Sequence, residues 1–295
     1  MASNPQPMNG LPFSSAELRK FANKGPFFHF MDRQLSRADK AFKFDDFDSS
    51  TLDGNVWSGT TGANGTIAAI VVAGGTTLSG LAHGVMQMAG TTGGFSAFFG
   101  PNLYYGTQNA EIEVRFRQLG TTANAVMFEL GFVDASGTTS AVNDIDTPSS
   151  NITTHALFAV DPSQTLTSAA FVTVGAASTT SITGQSIKAT TLPFIAGMFP
   201  TSSGTVASTD CRINPGTFCT VRVSLRGSSA YCFVNGQLAA QHNTPDSSAT
   251  AGNRGGFVAA GRSLAPWIFA RNVVAGVSTI QVDYVALWQD RYGGQ

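Results

Sequence analysis

The chain has 295 residues, long enough for one large domain or two ordinary ones, and only 12% of them are charged. Its 42% hydrophobic content, with 22 Phe, excludes disorder, while 32 Gly and many Ser and Thr point to strands joined by tight turns. A net charge of −1 excludes a strongly basic polyanion binder over the whole chain.

That balance is uneven. Residues 1–43 hold seven Lys or Arg against three acids, a surplus of +4, which leaves about −5 for the remainder. The start, M-A-S-N-P-Q-P-M-N-G, has no basic patch before an apolar core, so no secretory signal is expected. The longest apolar runs fall far short of a membrane span. Cys211, Cys219 and Cys232 match no metal spacing and read as free thiols.

In chain order, Phe13, Ser14 and Glu17 form a helix-start signature, and Asn23-Lys24-Gly25-Pro26 stops it. Phe28, Met31, Leu35, Ala38 and Phe42 then recur at spacings of three and four, with Arg33, Arg37 and Lys40 off the seam. Residues 1–43 are therefore expected to be a tail and a short amphipathic helical arm, a partner-binding segment. Its seam would pack on the rest of the chain or on a neighbouring subunit. The arm's basic residues are interleaved with apolar ones, so protein contact is favoured over nucleic acid.

From Phe44 the texture turns to β. Glu111 to Gln118 alternates, with Ile112, Val114 and Phe116 inward and Glu111, Glu113, Arg115 and Arg117 outward as a charged ladder. Ala125 to Val133 is almost wholly apolar. Thr220 to Arg226 alternates with Val221, Val223 and Leu225 inward, and Asn235-Gly236 is a hairpin turn. Thr279 to Arg291 is the organising strand. Ile280, Val282, Tyr284, Ala286 and Trp288 are assigned to one face, and Phe44 to Phe47 is assigned as its partner. Nothing splits 44–295, which is read as one all-β domain.

Four stretches carry a family likeness: F-D-D-F-D with Trp57 after it, E-I-E-V-R-F leading to F-E-L-G-F-V-D-A, V-R-V-S-L-R before Y-C-F-V-N-G-Q-L-A-A, and V-D-Y-V-A-L-W-Q. In this order over 44–291 they resemble the concanavalin-A-like (laminin-G-like) jelly rolls found in tailed-phage virion proteins. The resemblance implies an antiparallel jelly-roll β-sandwich. It also implies a phage virion protein, most simply a capsid decoration (cement) protein, with a tail or fibre component or a lectin-like module or degenerate glucanase as alternatives. Expected partners are other copies of the chain as a homotrimer, capsid shell proteins and surface glycans, with no membrane.

The glucanases of that family use carboxylates spaced Glu-x-Asp-x-x-Glu. Glu111 and Glu113 share a face, but Arg115 stands next and the third carboxylate is missing, so no catalysis is expected. Asp45, Asp46, Asp48 and Asp53, and Asn143, Asp144 and Asp146, are acidic clusters with the composition of hard-cation loops. They complete no loop motif, so neither a metal nor a cofactor is expected. His29, His83, His155 and His242 are scattered. A groove of outward aromatics and acids on one face would favour sugar, and a flat Ser/Thr/Gly surface a structural role.

Overall fold

The computed structural model describes residues 40–45, 47, 53–62, 65–69, 71–72, 76–77, 84–88, 95–120, 126–134, 140–144, 149–150, 152, 154–161, 169–175, 187–192, 218–242, 261–273 and 278–290. The early strands are β1 (Lys40–Asp45), β2 (Ser58–Thr61), β3 (Gly65–Ala69), β4 (Val71–Val72), β5 (Thr76–Thr77), β6 (Gly84–Met88) and β7 (Phe95–Phe99). The middle of the chain gives β8 (Glu111–Gly120), β9 (Val126–Val133), β10 (Val142–Asp144), β11 (Ser149–Ser150), β12 (Thr154–Val160), β13 (Ala169–Gly175) and β14 (Ile187–Leu192). The last are β15 (Cys219–Arg226), β16 (Ser229–Val234), β17 (Gln237–His242), β18 (Ala265–Asn272) and β19 (Ser278–Asp290).

Two large antiparallel sheets result. The first runs β17-β16-β15-β8-β19-β6-β3, with β1 also on β19, and the second β14-β13-β12-β9-β18-β7-β2. They enclose one core: Ile112, Val114, Phe116, Val221, Val223 and Leu225 from the first meet Phe128, Leu130, Phe132, Phe158, Phe171 and Ile268 from the second. This is the expected jelly-roll sandwich, and the expected alternation of β8 and β15 sets its inner face. Asn235 and Gly236 both have positive φ, 49° and 83°, as the two-residue turn between β16 and β17 requires.

β19 is central, as its apolarity on both faces demands. β8 follows it on one side from Ser278 to Trp288. On the other side β6 takes Ser278–Val282 and β1 takes Val285–Asp290, end to end. The expected pairing with the last strand thus holds for Phe44 and Asp45, but the strand begins four residues earlier, at Lys40, and Phe47 is not part of it.

Two expectations need correction. Phe42 is not on a helix. It lies in β1 opposite Trp288, 38% exposed, with its ring 6.5 Å from that of Phe44. K-A-F-K-F-D satisfies a period of two as well as a helical seam, and the edge offered by β19 decides between them. Phe28, Met31, Arg33, Leu35 and Arg37 lie outside the described residues. The second correction concerns β19, whose pairing with β8 shifts by one residue between Val282 and Tyr284. This bulge at Asp283 reverses the faces beyond it. Ile280, Val282, Val285 and Leu287 point into the core, whereas Tyr284, Ala286 and Trp288 form a separate cluster outside it with Phe44.

The outer face of the second sheet is also buried, packed against Ala141, Val142 and Ile152. Glu129 holds that cover in place: its carboxylate accepts from Ala141 N at 2.9 Å, Val142 N at 2.8 Å and Trp267 Nε1 at 3.0 Å.

Candidate functional site

The chemistry-bearing side chains gather on the outer face of the first sheet. Alternation puts Glu111, Glu113, Arg115 and Arg117 there from β8, and Thr220, Arg222 and Ser224 from β15. β16 adds Tyr231 and Phe233. The bulge in β19 adds Tyr284, Ala286 and Trp288, so the local irregularity composes the site. Register then fixes the rows. One reads Tyr231, Ser224, Glu111, Trp288, Phe42, and the next Phe233, Arg222, Glu113, Ala286, Phe44.

The two glutamates are not a solvated ladder. Glu111 is fully buried and Glu113 is 3% exposed. Arg226 Nη2 donates to Glu111 Oε1 at 2.5 Å, and Arg222 Nε lies 3.8 Å from its Oε2. Glu113 has a different environment: Tyr284 Oη donates to its Oε1 at 2.8 Å. Burial raises the Glu113 pKa. The tyrosine hydrogen bond and Arg222 pull it down, and Glu111 adds to the rise. One carboxylate is therefore ion-paired, while its neighbour two residues along has its pKa raised by burial.

Arginines and aromatics frame the pair. Arg222 stacks 4.1 Å over Phe233, and Arg115 and Arg117 both sit 4.6 Å from the Phe218 ring. Arg115 pairs with Asp283, and Arg117 Nε donates to Gln281 Oε1 at 2.5 Å. Phe44 packs 5.5 Å from Tyr284. Beside Glu111 a depression of about 250 Å³ is lined by Arg222, Ser224, Arg226, Tyr231 and Phe233.

Neither Trp57 and Trp267 nor Asp45 and Asp53 assemble here. Trp57 is in the core with its indole N–H 2.6 Å from Asp45 Oδ2, Trp267 is behind the second sheet on Glu129, and Trp288 alone reaches this face. Asp45 and Asp53 serve turns, accepting from Phe47 N at 2.8 Å and Asn55 N at 2.9 Å. Asp46, Asp48 and Asp146 lie outside the described residues. Among those described, no three His, Cys, Asp or Glu converge as a metal site. His155 and His242 are buried; Thr173 Oγ1 lies 2.7 Å from His242 Nδ1, and burial takes the His155 pKa down to about 3. Sequence reasoning overlooked Arg222, Arg226, Asp283 and Tyr284. The V-R-V-S-L-R alternation already places both arginines outward, and only their pairing with β8 was needed to connect them to the glutamates.

The sequence matches no protein-family model and no curated protein. Solved structures do match. A glycoside hydrolase family 16 endo-glucanase from Bacteroides ovatus superposes with a TM-score of 0.50 at 8% identity, covering 83% of this chain and 99% of that one. The Crh5 transglycosylase in complex with NAG gives 0.51 at 14%, covering 85% of each. The fold is a concanavalin-A-like sandwich. The concanavalin-A-like neighbours also correct one expectation. Their likeness shows the fold alone, yet it is a fold that carries a hydrolase and a transglycosylase. Arg115 in place of a third carboxylate therefore does not exclude catalysis, least of all with Glu111 and Glu113 buried in unlike environments. Among the described residues no helix is long and apolar enough to cross a membrane.

Proposed function

We propose that the chain is a carbohydrate-active β-sandwich that binds a glycan along the outer face of its first sheet and acts on a glycosidic bond there. One observation carries the reading: two carboxylates share a strand face, one paired with arginines and the other held by a tyrosine. Residues two apart on a strand are about 7 Å apart at Cα with both side chains on one face, so two glutamates can flank one glycosidic bond. Glu113, whose pKa burial raises, is the general acid that delivers a proton to the leaving glycosidic oxygen. Glu111 is the second carboxylate, attacking the anomeric carbon or activating water.

The test is incubation with a panel of polysaccharides, followed by product sizing. The expected result is cleavage or chain transfer that Glu113→Gln abolishes while polysaccharide retention persists. Cleavage untouched in both Glu113→Gln and Glu111→Gln would remove these residues from the chemistry.

The proposed setting is a tailed-phage virion, with residues 1–43 as anchor, the sandwich outward and copies assembled as a trimer on the shell. What supports it is the +4 surplus of that segment on a chain poor in charge. Because β1 begins at Lys40, the deletion to make is 1–39. Loss of attachment to the shell is expected, and attachment at unchanged affinity would move the anchor elsewhere.

A further inference from the structure

Around the glutamate pair the outer face of the first sheet carries Arg115, Arg117, Arg222 and Arg226, against Glu111, Glu113 and Asp283. Four guanidiniums gathered on one face are not what a neutral glucan asks for. The densest part borders the depression of about 250 Å³, where Arg222 and Arg226 converge beside Tyr231. Arg226 uses Nη2 on Glu111 and Nε on Ser224 Oγ at 3.3 Å, two of the five donors a guanidinium offers. Its side chain is 38% exposed and Tyr231 is half-buried, so both are presented to a ligand.

From this we infer that the depression beside Glu111 takes a carboxylated sugar, a hexuronate unit of an acidic polysaccharide. Its carboxylate meets Arg226 and Arg222, and its apolar ring face lies against Tyr231. A guanidinium fork matches a planar carboxylate in two parallel hydrogen bonds, which a hydroxyl cannot reproduce. Stacking on Phe233 fixes the Arg222 plane before the ligand arrives, which lowers the ordering cost of binding. The inference rests on the glycan reading of this face and narrows its substrate class.

Affinity electrophoresis of the full chain tests it, in gels holding polygalacturonate, a sulfated galactan or a neutral β-glucan. Polygalacturonate is expected to retard the protein most, and added salt to weaken the effect. A Glu111→Gln/Arg226→Gln double variant removes the Arg226 cation together with the buried carboxylate it pairs with. Its polygalacturonate affinity should fall at least about tenfold, the worth of one charge-assisted contact, with Arg226→Lys intermediate. Equal or stronger retention by the neutral glucan or the sulfated galactan overturns the uronate assignment and leaves the glycan reading standing. Polygalacturonate binding unchanged in the double variant overturns it as well. No retention by any of the three overturns both.

Discussion

Val282 and Tyr284 are two residues apart on one strand, yet Val282 points into the inter-sheet core and Tyr284 points out of it to Glu113. The single extra residue between them, Asp283, makes this possible, and Arg115 holds its carboxylate.

Deleting Asp283 should leave both faces of β19 in place. Val282 and Tyr284 already oppose the neighbouring β8 residues Phe116 and Arg115, so removing the residue between them gives a regular strand in the same phase. The deletion is expected to keep cooperative unfolding, and Asp283→Asn to cost less than about 1 kcal/mol, since Arg115 is well exposed. Thermal melts of the two variants test this; loss of cooperative unfolding in the deletion would mean that the strand needs the bulge itself.

Glu129 makes stability depend on pH. Burial raises its pKa to about 7, against hydrogen bonds from Ala141, Val142 and Trp267 and the charge of Arg271, which all lower it. A raised carboxyl pKa binds more protons in the folded state, so its contribution is complete below about 4.5 and is lost as pH rises through about 7. The full swing is about 3 kcal/mol. Glu129→Gln should flatten Tm between pH 5 and 8. It should also lower stability by about 2 kcal/mol, because an amide NH₂ would face the donors now served by a carboxylate oxygen. A pH profile identical to that of the parent protein would place the titration elsewhere.

How much of this could be read in the sequence depended on how far apart the partners lie. Ile112, Val114 and Phe116 announce their face by alternation alone, and Asn235-Gly236 announces its turn. The environments of Glu111 and Glu113 are set by Arg226, 115 residues away, and Tyr284, 171 away, so nothing local separates them from an exposed ladder. The bulge was equally hidden. T-I-Q-V-D-Y-V-A-L-W alternates plausibly in one phase, and only pairing with β8 shows that the phase changes. Phe42 fitted two periodicities, and the free edge of β19 chose one.

Gly131 leaves no room for a side chain. Its φ is 146°, and a Cβ there would lie 2.2 Å from the Ala156 carbonyl oxygen on the neighbouring strand. Gly131→Ala should cost roughly 4 kcal/mol or more, or prevent folding, since backbone rather than a flexible side chain must yield. Denaturant unfolding measures it, and a loss below about 1 kcal/mol would show that β9 and β12 can separate locally.

Removing 279–295 should abolish folding. β19 lies between β8 on one side and β6 with β1 on the other, so its loss separates the first sheet into halves. A truncated chain that stays soluble and melts cooperatively would contradict this.

The junction of β1 and β19 has one further consequence. Lys40 pairs with Asp290, so the polypeptide enters and leaves the first sheet at the same corner. A short peptide could join those two points and new termini be opened at the Asn235-Gly236 turn, giving a circular permutant with every strand pair intact. The same corner offers a single tether: a partner fused before residue 40 or after residue 290 would hang from one point at the rim, leaving the rest of the sandwich free to present its glutamates.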